Sequence, residues 1–290
     1  IFEMGDIPAS HSVHKARPVE LGQRPAYAPA PIDEVVAAIH EEKPDLVFAP
    51  HVETSAGMIL PDGYIKALSD AVHEHGGMMV LDCIASGTSW VDMPAWGVDV
   101  LISAPQKGWS GTPCAGFVML SVLASERLQD TTSSSFACDL KKWRDIMAAY
   151  EGGGHAYHAT MPTDGLKALV RVMRETQEMG FAHARTAQEE LGTKVRELLS
   201  SHGIKSLAAP GFQAPSVVVC YTDHAGMHSG KKFAELGMQI AAGVPLQCDE
   251  AEDFQTFRIG LFGLDKLQNI DRTVASLADT LKKMSLEVVA

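Results

Sequence analysis

Several short segments carry side chains able to do chemistry. In Ser103-Ala104-Pro105-Gln106-Lys107-Gly108-Trp109-Ser110-Gly111, one lysine follows an apolar run and precedes glycines and small residues. A lysine so placed is partly desolvated, which disfavours its charged form and leaves a nucleophilic, basic amine; a plain surface lysine is the alternative. Asp82 ends the apolar run Met78-Met79-Val80-Leu81. Its carboxylate would either pair with a protonated ring nitrogen or cap a neighbouring helix. In His51-Val52-Glu53-Thr54-Ser55-Ala56-Gly57 two adjacent hydroxyls and a glycine suit a phenolate or phosphate, or simply a polar turn. Arg258 sits inside the apolar Thr256-Phe257-Arg258-Ile259-Gly260, where a guanidinium is costly unless paired. A ligand carboxylate gripped by two parallel hydrogen bonds is one partner, an internal Asp or Glu the other. Finally, Gly152-Gly153-Gly154-His155-Ala156-Tyr157-His158-Ala159-Thr160 offers the Tyr157 and Thr160 hydroxyls to a phosphate, with a flexible linker as the alternative. No third ligand accompanies His155 and His158 at a sensible spacing, so no metal site is expected.

These segments need elements to hold them. Pro31-Ile32-Asp33-Glu34 opens a helix through about His40, with acidic residues where the helix dipole favours them. Leu46–Ala49 reads as a buried strand. Pro61 to His75 reads as a helix stopped by Gly76-Gly77. Met78–Leu81, Val98–Ile102 and Ala115–Leu120 read as further buried strands. Buried strands alternating with helices predict an α/β domain around a mostly parallel sheet. Ligands of such sheets bind at the strands' carboxyl ends, and Asp82 and Ser103–Lys107 follow strands directly. Farther on, residues 164–202 read as a long helical stretch bent near Gly180. Ser216–Tyr221 and Phe257–Leu261 read as strands, and Leu267–Met284 as a closing helix. That second half is expected to form a smaller α+β domain. Residues 1–31, rich in Pro, His, Ala and Gly, are expected to be loop with one short helix and strand.

The 290 residues allow a large domain plus a smaller one, and the 46% apolar, 21% charged balance is globular. A net charge of −12 argues against nucleic acid and anionic membranes as partners. Five cysteines without a C-x-x-C pair fit a reducing cytosol better than a disulfide framework. No apolar run is long enough for a membrane span. The chain opens Ile1-Phe2-Glu3 without an initiator methionine, and its numbering is expected to begin inside a longer protein.

In order, Glu53-Thr54-Ser55-Ala56-Gly57, Asp82, Trp96-Gly97-Val98-Asp99-Val100, Gln106-Lys107, Tyr157-His158-Ala159-Thr160 and Arg258-Ile259-Gly260 resemble the motifs of class V aminotransferases. The likeness runs from about Asp33 to about Leu281 and is nearest to the alanine–glyoxylate and serine–glyoxylate enzymes. It implies the α/β fold of PLP fold type I, with a major domain over 1–180 and a smaller α+β domain over 181–290. It implies pyridoxal 5'-phosphate (PLP) as cofactor and transamination between an amino acid and a small 2-oxo acid. Lys107 would bond the cofactor and move the α-proton. Asp82 would hold the pyridine nitrogen, with Ile84 against the ring. Ser55 would reach the phenolic oxygen or nearby, Thr54 would also bind the cofactor, and Gln106 would contact the phosphate. Tyr157 and Thr160 would reach the phosphate of a neighbouring subunit in a cytoplasmic homodimer, and Arg258 would bind the substrate carboxylate. The family further implies on the order of 100 preceding residues, bearing a glycine-rich phosphate loop and an aromatic that stacks on PLP. Rival readings are a cysteine desulfurase-type lyase using Cys248, a phosphonate-directed transaminase, and an inactive relative retaining the fold.

Overall fold

The computed structural model describes residues 12–284, so the opening residues Ile1-Phe2-Glu3 lie outside the described region. Among the described residues of the stretch 1–31, expected to be loop with one short helix and strand, 12–31 form a small ladder of β1 (Arg17–Pro18) and β2 (Tyr27–Ala28). Helix α1 (Ile32–Glu42) follows, then β3 (Leu46–Pro50), the short hairpin β4 (Val52–Glu53) and β5 (Met58–Ile59), and α2 (Asp62–His73). Next come β6 (Met78–Asp82), α3 (Met93–Trp96), β7 (Val100–Ser103) and β8 (Phe117–Leu120). Helices α4 (Val122–Leu128), α5 (Leu140–Glu151), α6 (Thr163–Met179) and α7 (Phe181–Ser201) lead to β9 (Val217–Tyr221). The chain closes through α8 (Ala225–His228), α9 (Lys231–Ala234), β10 (Ala241–Ala242), β11 (Thr256–Gly260), α10 (Leu264–Gln268) and α11 (Ile270–Lys283).

One sheet has the order β3-β6-β7-β8, with β3, β6 and β7 parallel and β8 antiparallel. Its apolar face packs Met79, Leu81 and Leu101 against Val35 and Ile39 of α1 and Ile65, Leu68 and Val72 of α2. The helix that crosses between β3 and β6 is closed tightly: a Cβ on Gly77 would lie 2.6 Å from the Pro44 carbonyl oxygen, so only glycine fits the turn into β6. The second sheet, β10-β11-β9, is antiparallel and buries Val218, Cys220, Phe257 and Ile259 beneath α7 and α11. A third cluster joins the two, with Val52, Ala56 and Ala85 meeting Val217, Val219 and Tyr221.

Two expectations need correction. Leu46–Ala49 is not buried throughout: β3 is an edge strand, Leu46 is 42% and Phe48 67% exposed, and Ala49 alone of that stretch is fully covered. Ala115–Leu120 shortens to β8, also an edge, with Val118 and Met119 partly exposed. The long stretch 164–202 does break at Gly180, whose φ of +87° ends α6 and starts α7.

The Trp96-Gly97-Val98-Asp99-Val100 motif is structural here. Gly97 ends α3 at φ +71°, and a Cβ there would stand 3.0 Å from Ser69. Asp99 is buried and accepts from the Met79 amide (2.9 Å) and the Ser121 hydroxyl (2.9 Å) while facing His73 Nε2 at 2.6 Å. A buried carboxylate is tolerated because each oxygen has partners. It ties α2, the start of β6 and the start of α4 together at the amino ends of the parallel strands, opposite the end that carries Asp82 and Lys107.

Candidate active site

Parallel pairing sets the site's geometry. Pro50 lies beside Asp82 and Asp82 beside Ile102, so the loops leaving β3, β6 and β7 start side by side. The first loop is anchored to the second by the His51 amide, which donates to the Asp82 carbonyl at 2.8 Å. Within it, the Glu53 carboxylate accepts from the Ser55 amide (3.0 Å) and the Ala56 amide (2.8 Å). Gly57, at φ +67°, closes the turn, and a Cβ there would meet the Val217 carbonyl at 2.9 Å. The turn holds Thr54 and Ser55 half-buried, and among the described residues their hydroxyls meet no hydrogen-bond partner.

Asp82 is exposed at the strand end, and its Oδ1 accepts from the Ile84 amide at 2.9 Å. Ile84 is half-buried beside it. The turn after β7 brings Lys107 round against this segment. The Ser110 amide donates to the Lys107 carbonyl (3.0 Å) and the Gly111 amide to the Pro105 carbonyl (2.8 Å). Gly108 presses on Gly87 so closely that a Cβ would sit 2.1 Å from the Gly87 oxygen. The half-buried Lys107 places Nζ 5.3 Å from the centre of the Phe262 ring, within cation–π range. Phe262 packs on the cluster containing Ala56 and Ala85, so it borders the Ser55 turn and the segment after Asp82. The Ser110 hydroxyl accepts from the Leu264 amide at 2.8 Å, which fixes the lysine turn to the chain leaving β11.

Arg258, in the middle strand of the second sheet, donates from Nε to the Ala242 carbonyl at 2.7 Å. It has no carboxylate partner among the described residues, nor has Lys107, and Asp82 has no cationic one. The internal Asp or Glu considered for Arg258 is therefore not observed. Gln106 is exposed next to Lys107. Tyr157 and Thr160 stand apart on an exposed loop, their hydroxyls 3.4 Å from each other, with Tyr157 78% exposed. His158 gives its Nε2 to the Phe136 carbonyl at 2.8 Å. Among the described residues no cluster of three or more His, Cys, Asp or Glu could hold a metal ion.

The sequence reading missed Phe262 and the Gly87–Gly108 contact. Phe262 was signalled only by an aromatic two residues past the Arg258 strand. The glycine pair was signalled by one glycine in each of two strand-end loops. It also missed His51, which is buried and meets Ser86 Oγ through Nδ1 at 2.8 Å. Burial, and then the Arg185 guanidinium, lower the His51 pKa from 6.5 to about 4. The folded chain thus resists a proton that the unfolded chain takes up. This contribution is fully present above about pH 6.5 and is lost as pH falls towards 4. At roughly 1.4 kcal/mol per pH unit it is worth about 3 kcal/mol. His51→Gln should flatten the fall in urea-unfolding free energy between pH 6.5 and 4 by close to one proton's slope; an unchanged slope would contradict the assignment.

No protein-family profile matches the sequence. Among curated proteins it is 25% identical over 270 residues to the alanine–glyoxylate aminotransferase of Oryctolagus cuniculus, covering 87% of this chain and 64% of that protein. It is 28% identical over 269 residues to the 2-aminoethylphosphonate–pyruvate transaminase of Burkholderia ambifaria, covering 91% and 68%. Among solved structures it superposes on the alanine–glyoxylate aminotransferase of Nostoc sp. with a TM-score of 0.73 at 22% identity, covering 86% of this chain and 65% of that one. The ureidoglycine–glyoxylate aminotransferase of Bacillus subtilis gives 0.72 at 21%, covering 89% and 66%. The fold is that of the PLP-dependent proteins of fold type I. Within that fold the chain is similar to aminotransferases, and it spans about two thirds of the length of these relatives.

Proposed function

We propose that this protein transfers an amino group from an amino acid of the alanine or serine type to a small 2-oxo acid, glyoxylate or pyruvate, with PLP as cofactor. One observation carries the reading: Lys107 and Asp82, neither ion-paired, occupy adjoining loops at the carboxyl ends of neighbouring parallel strands. The cofactor fits these residues. The cofactor's aldehyde needs an amine without a counter-ion, its ring nitrogen needs a carboxylate with a free oxygen, and Asp82 Oδ2 has no partner among the described residues. Thr54 and Ser55 supply free hydroxyls for the ring's oxygen, Ile84 an apolar contact and Gln106 a donor for the phosphate.

When bound, PLP supplies an electron sink for the pair left by the α-proton. The chain's own groups do the rest. Lys107 Nζ would hold the cofactor and serve as the base that moves the substrate's α-proton. Asp82 keeps the ring nitrogen protonated. Arg258 grips the α-carboxylate with two guanidinium N–H groups and orients the substrate. Tyr157 and Thr160 serve the phosphate of a second subunit in a homodimer, consistent with their exposure within one chain. Residues 1–180 form the cofactor domain and 181–290 the smaller one, and the protein works in the cytoplasm.

The lyase reading finds less support. Burial and the nearby Glu250 carboxylate raise the pKa of the half-buried Cys248 thiol, and the thiol points to the Leu246 carbonyl. The thiolate that such chemistry needs is therefore disfavoured. A phosphonate donor remains the nearer competitor, because phosphonate transaminases are among the relatives.

The test is direct. Protein supplied with PLP, alanine and glyoxylate should produce pyruvate and glycine. Sulfide from cysteine instead would favour the lyase, and turnover of 2-aminoethylphosphonate alone would reassign the donor. Arg258→Lys keeps the charge but loses the planar fork. It should raise KM for the amino donor by about 10- to 100-fold with a smaller change in kcat. A KM equal to wild type would remove Arg258 from the site.

A further inference from the structure

A separate cavity of about 470 Å³ lies behind these loops, between the start of α2, the end of α3 and the face of α7 that runs from Arg185 to Glu197. Neither Lys107 nor Asp82 nor Arg258 lines it. Its size is within the range of about 300–1,000 Å³ usual for small-molecule sites. Its walls carry three kinds of group. Two guanidinium groups enter it, Arg185 and Arg196. Arg185 is paired through Nε to Glu189 at 3.0 Å. Arg196 donates to carbonyls, including Val217 at 3.3 Å, and has no carboxylate partner among the described residues; its buried Nε has no partner at all. Two carboxylates, Asp62 and Glu197, also line the cavity and make no ion pair among the described residues. Trp90 and Trp96 also line it.

An uncompensated cation, uncompensated anions and flat apolar walls in one cavity match a molecule carrying both charges and an apolar body. We propose that this cavity is a second ligand site, taking a zwitterionic α-amino acid with an apolar side chain. Arg196 and Arg185 take its carboxylate, Asp62 and Glu197 its ammonium, and the indoles its side chain.

The site shares a wall with the Lys107 loops. His51 lines the cavity while its amide holds the Asp82 carbonyl and its ring holds Ser86. The ring of Trp90 packs at a tilt against Trp109, two residues beyond Lys107, with ring centres 5.0 Å apart. A ligand there would therefore press on the frame that positions Asp82 and Lys107, without entering the space between them.

The experiment is a titration of the protein with L-leucine, read by tryptophan fluorescence. Isoamylamine and 4-methylpentanoate serve as its amine-only and carboxylate-only halves. The expected result is saturable quenching by leucine, with each half at least about 10-fold weaker. Glu197→Gln and Arg196→Met should each weaken leucine about 10-fold or more, while Lys107→Ala and Arg258→Ala leave it unchanged. Should Arg196→Met fail to fold, Arg185→Gln and Glu197→Gln, at partly exposed positions, carry the same expectation. Absence of saturable quenching overturns the proposal. So does equal binding of either half, and so does loss of leucine binding in Arg258→Ala, which would place the amino acid at the Lys107 site instead.

Discussion

Lys107→Ala is expected to abolish both the visible absorbance that PLP gives when bonded to the protein and the transamination itself. The amine is asked to do two things: to hold the cofactor covalently and to ferry a proton. Losing a positioned general base alone costs about 10²- to 10⁴-fold, so a fall in kcat of roughly 10³-fold or more is expected. Folding should survive. Lys107 makes no ion pair among the described residues, and its side chain contributes one cation–π contact at 5.3 Å, worth about 1 kcal/mol or less at a part-exposed site. Borohydride treatment of the PLP-loaded wild type should fix the cofactor's mass on the peptide bearing Lys107, and the variant should show no such adduct. A residual adduct on another lysine would move the anchor elsewhere and sink the assignment.

Gly108→Ala should be the most damaging conservative change near the site. The added Cβ would lie 2.1 Å from the Gly87 oxygen and 2.7 Å from its carbonyl carbon, both backbone atoms. Relief by moving Gly87 is blocked. Gly87 sits at φ +64°, and its own Cβ position is 2.7 Å from Gln188 Oε1 and 2.8 Å from Ser216. Two backbones and α7 would have to shift together, so a loss of roughly 3 kcal/mol is expected, near the upper end of the usual cost of overpacking. Because the shift passes through the Lys107 turn, PLP affinity should fall in parallel. Gly63→Ala is the control: nothing lies within 4 Å of its Cβ position, and it sits in the first turn of α2, so neutrality or slight stabilisation is expected. Urea midpoints and PLP titrations of the two variants decide the matter; equal stability of Gly108→Ala and wild type would refute the packing argument.

Much of the frame was legible before any coordinates. Asp82 could be placed because Met78–Leu81 is a continuous apolar run, which only a covered strand tolerates, and a polar residue ends it. The break at Gly180 was legible because a glycine interrupts an otherwise unbroken helical pattern. Burial at the edges was not. An apolar run such as Leu46–Phe48 reads the same whether or not a neighbouring strand covers it, so exposure at β3 depended on tertiary position. Helix α5 also escaped: Leu140, Trp143, Ile146, Met147 and Tyr150 do recur at helical spacing, but the stripe is largely uncovered and buries only Ile146 fully. The Gly87–Gly108 contact joins segments about twenty residues apart, and no local pattern encodes it.

The two outer strands of the larger sheet have a consequence for handling the protein. Among the described residues β3 and β8 each pair on one side only, and each carries bulky apolar side chains, Phe48 on one and Met119 on the other. A row of unpaired amides beside such side chains is a template for added strands. As isolated, this polypeptide should clump as its concentration rises, and light scattering should register this first at high ionic strength, where the repulsion of twelve net negative charges is screened.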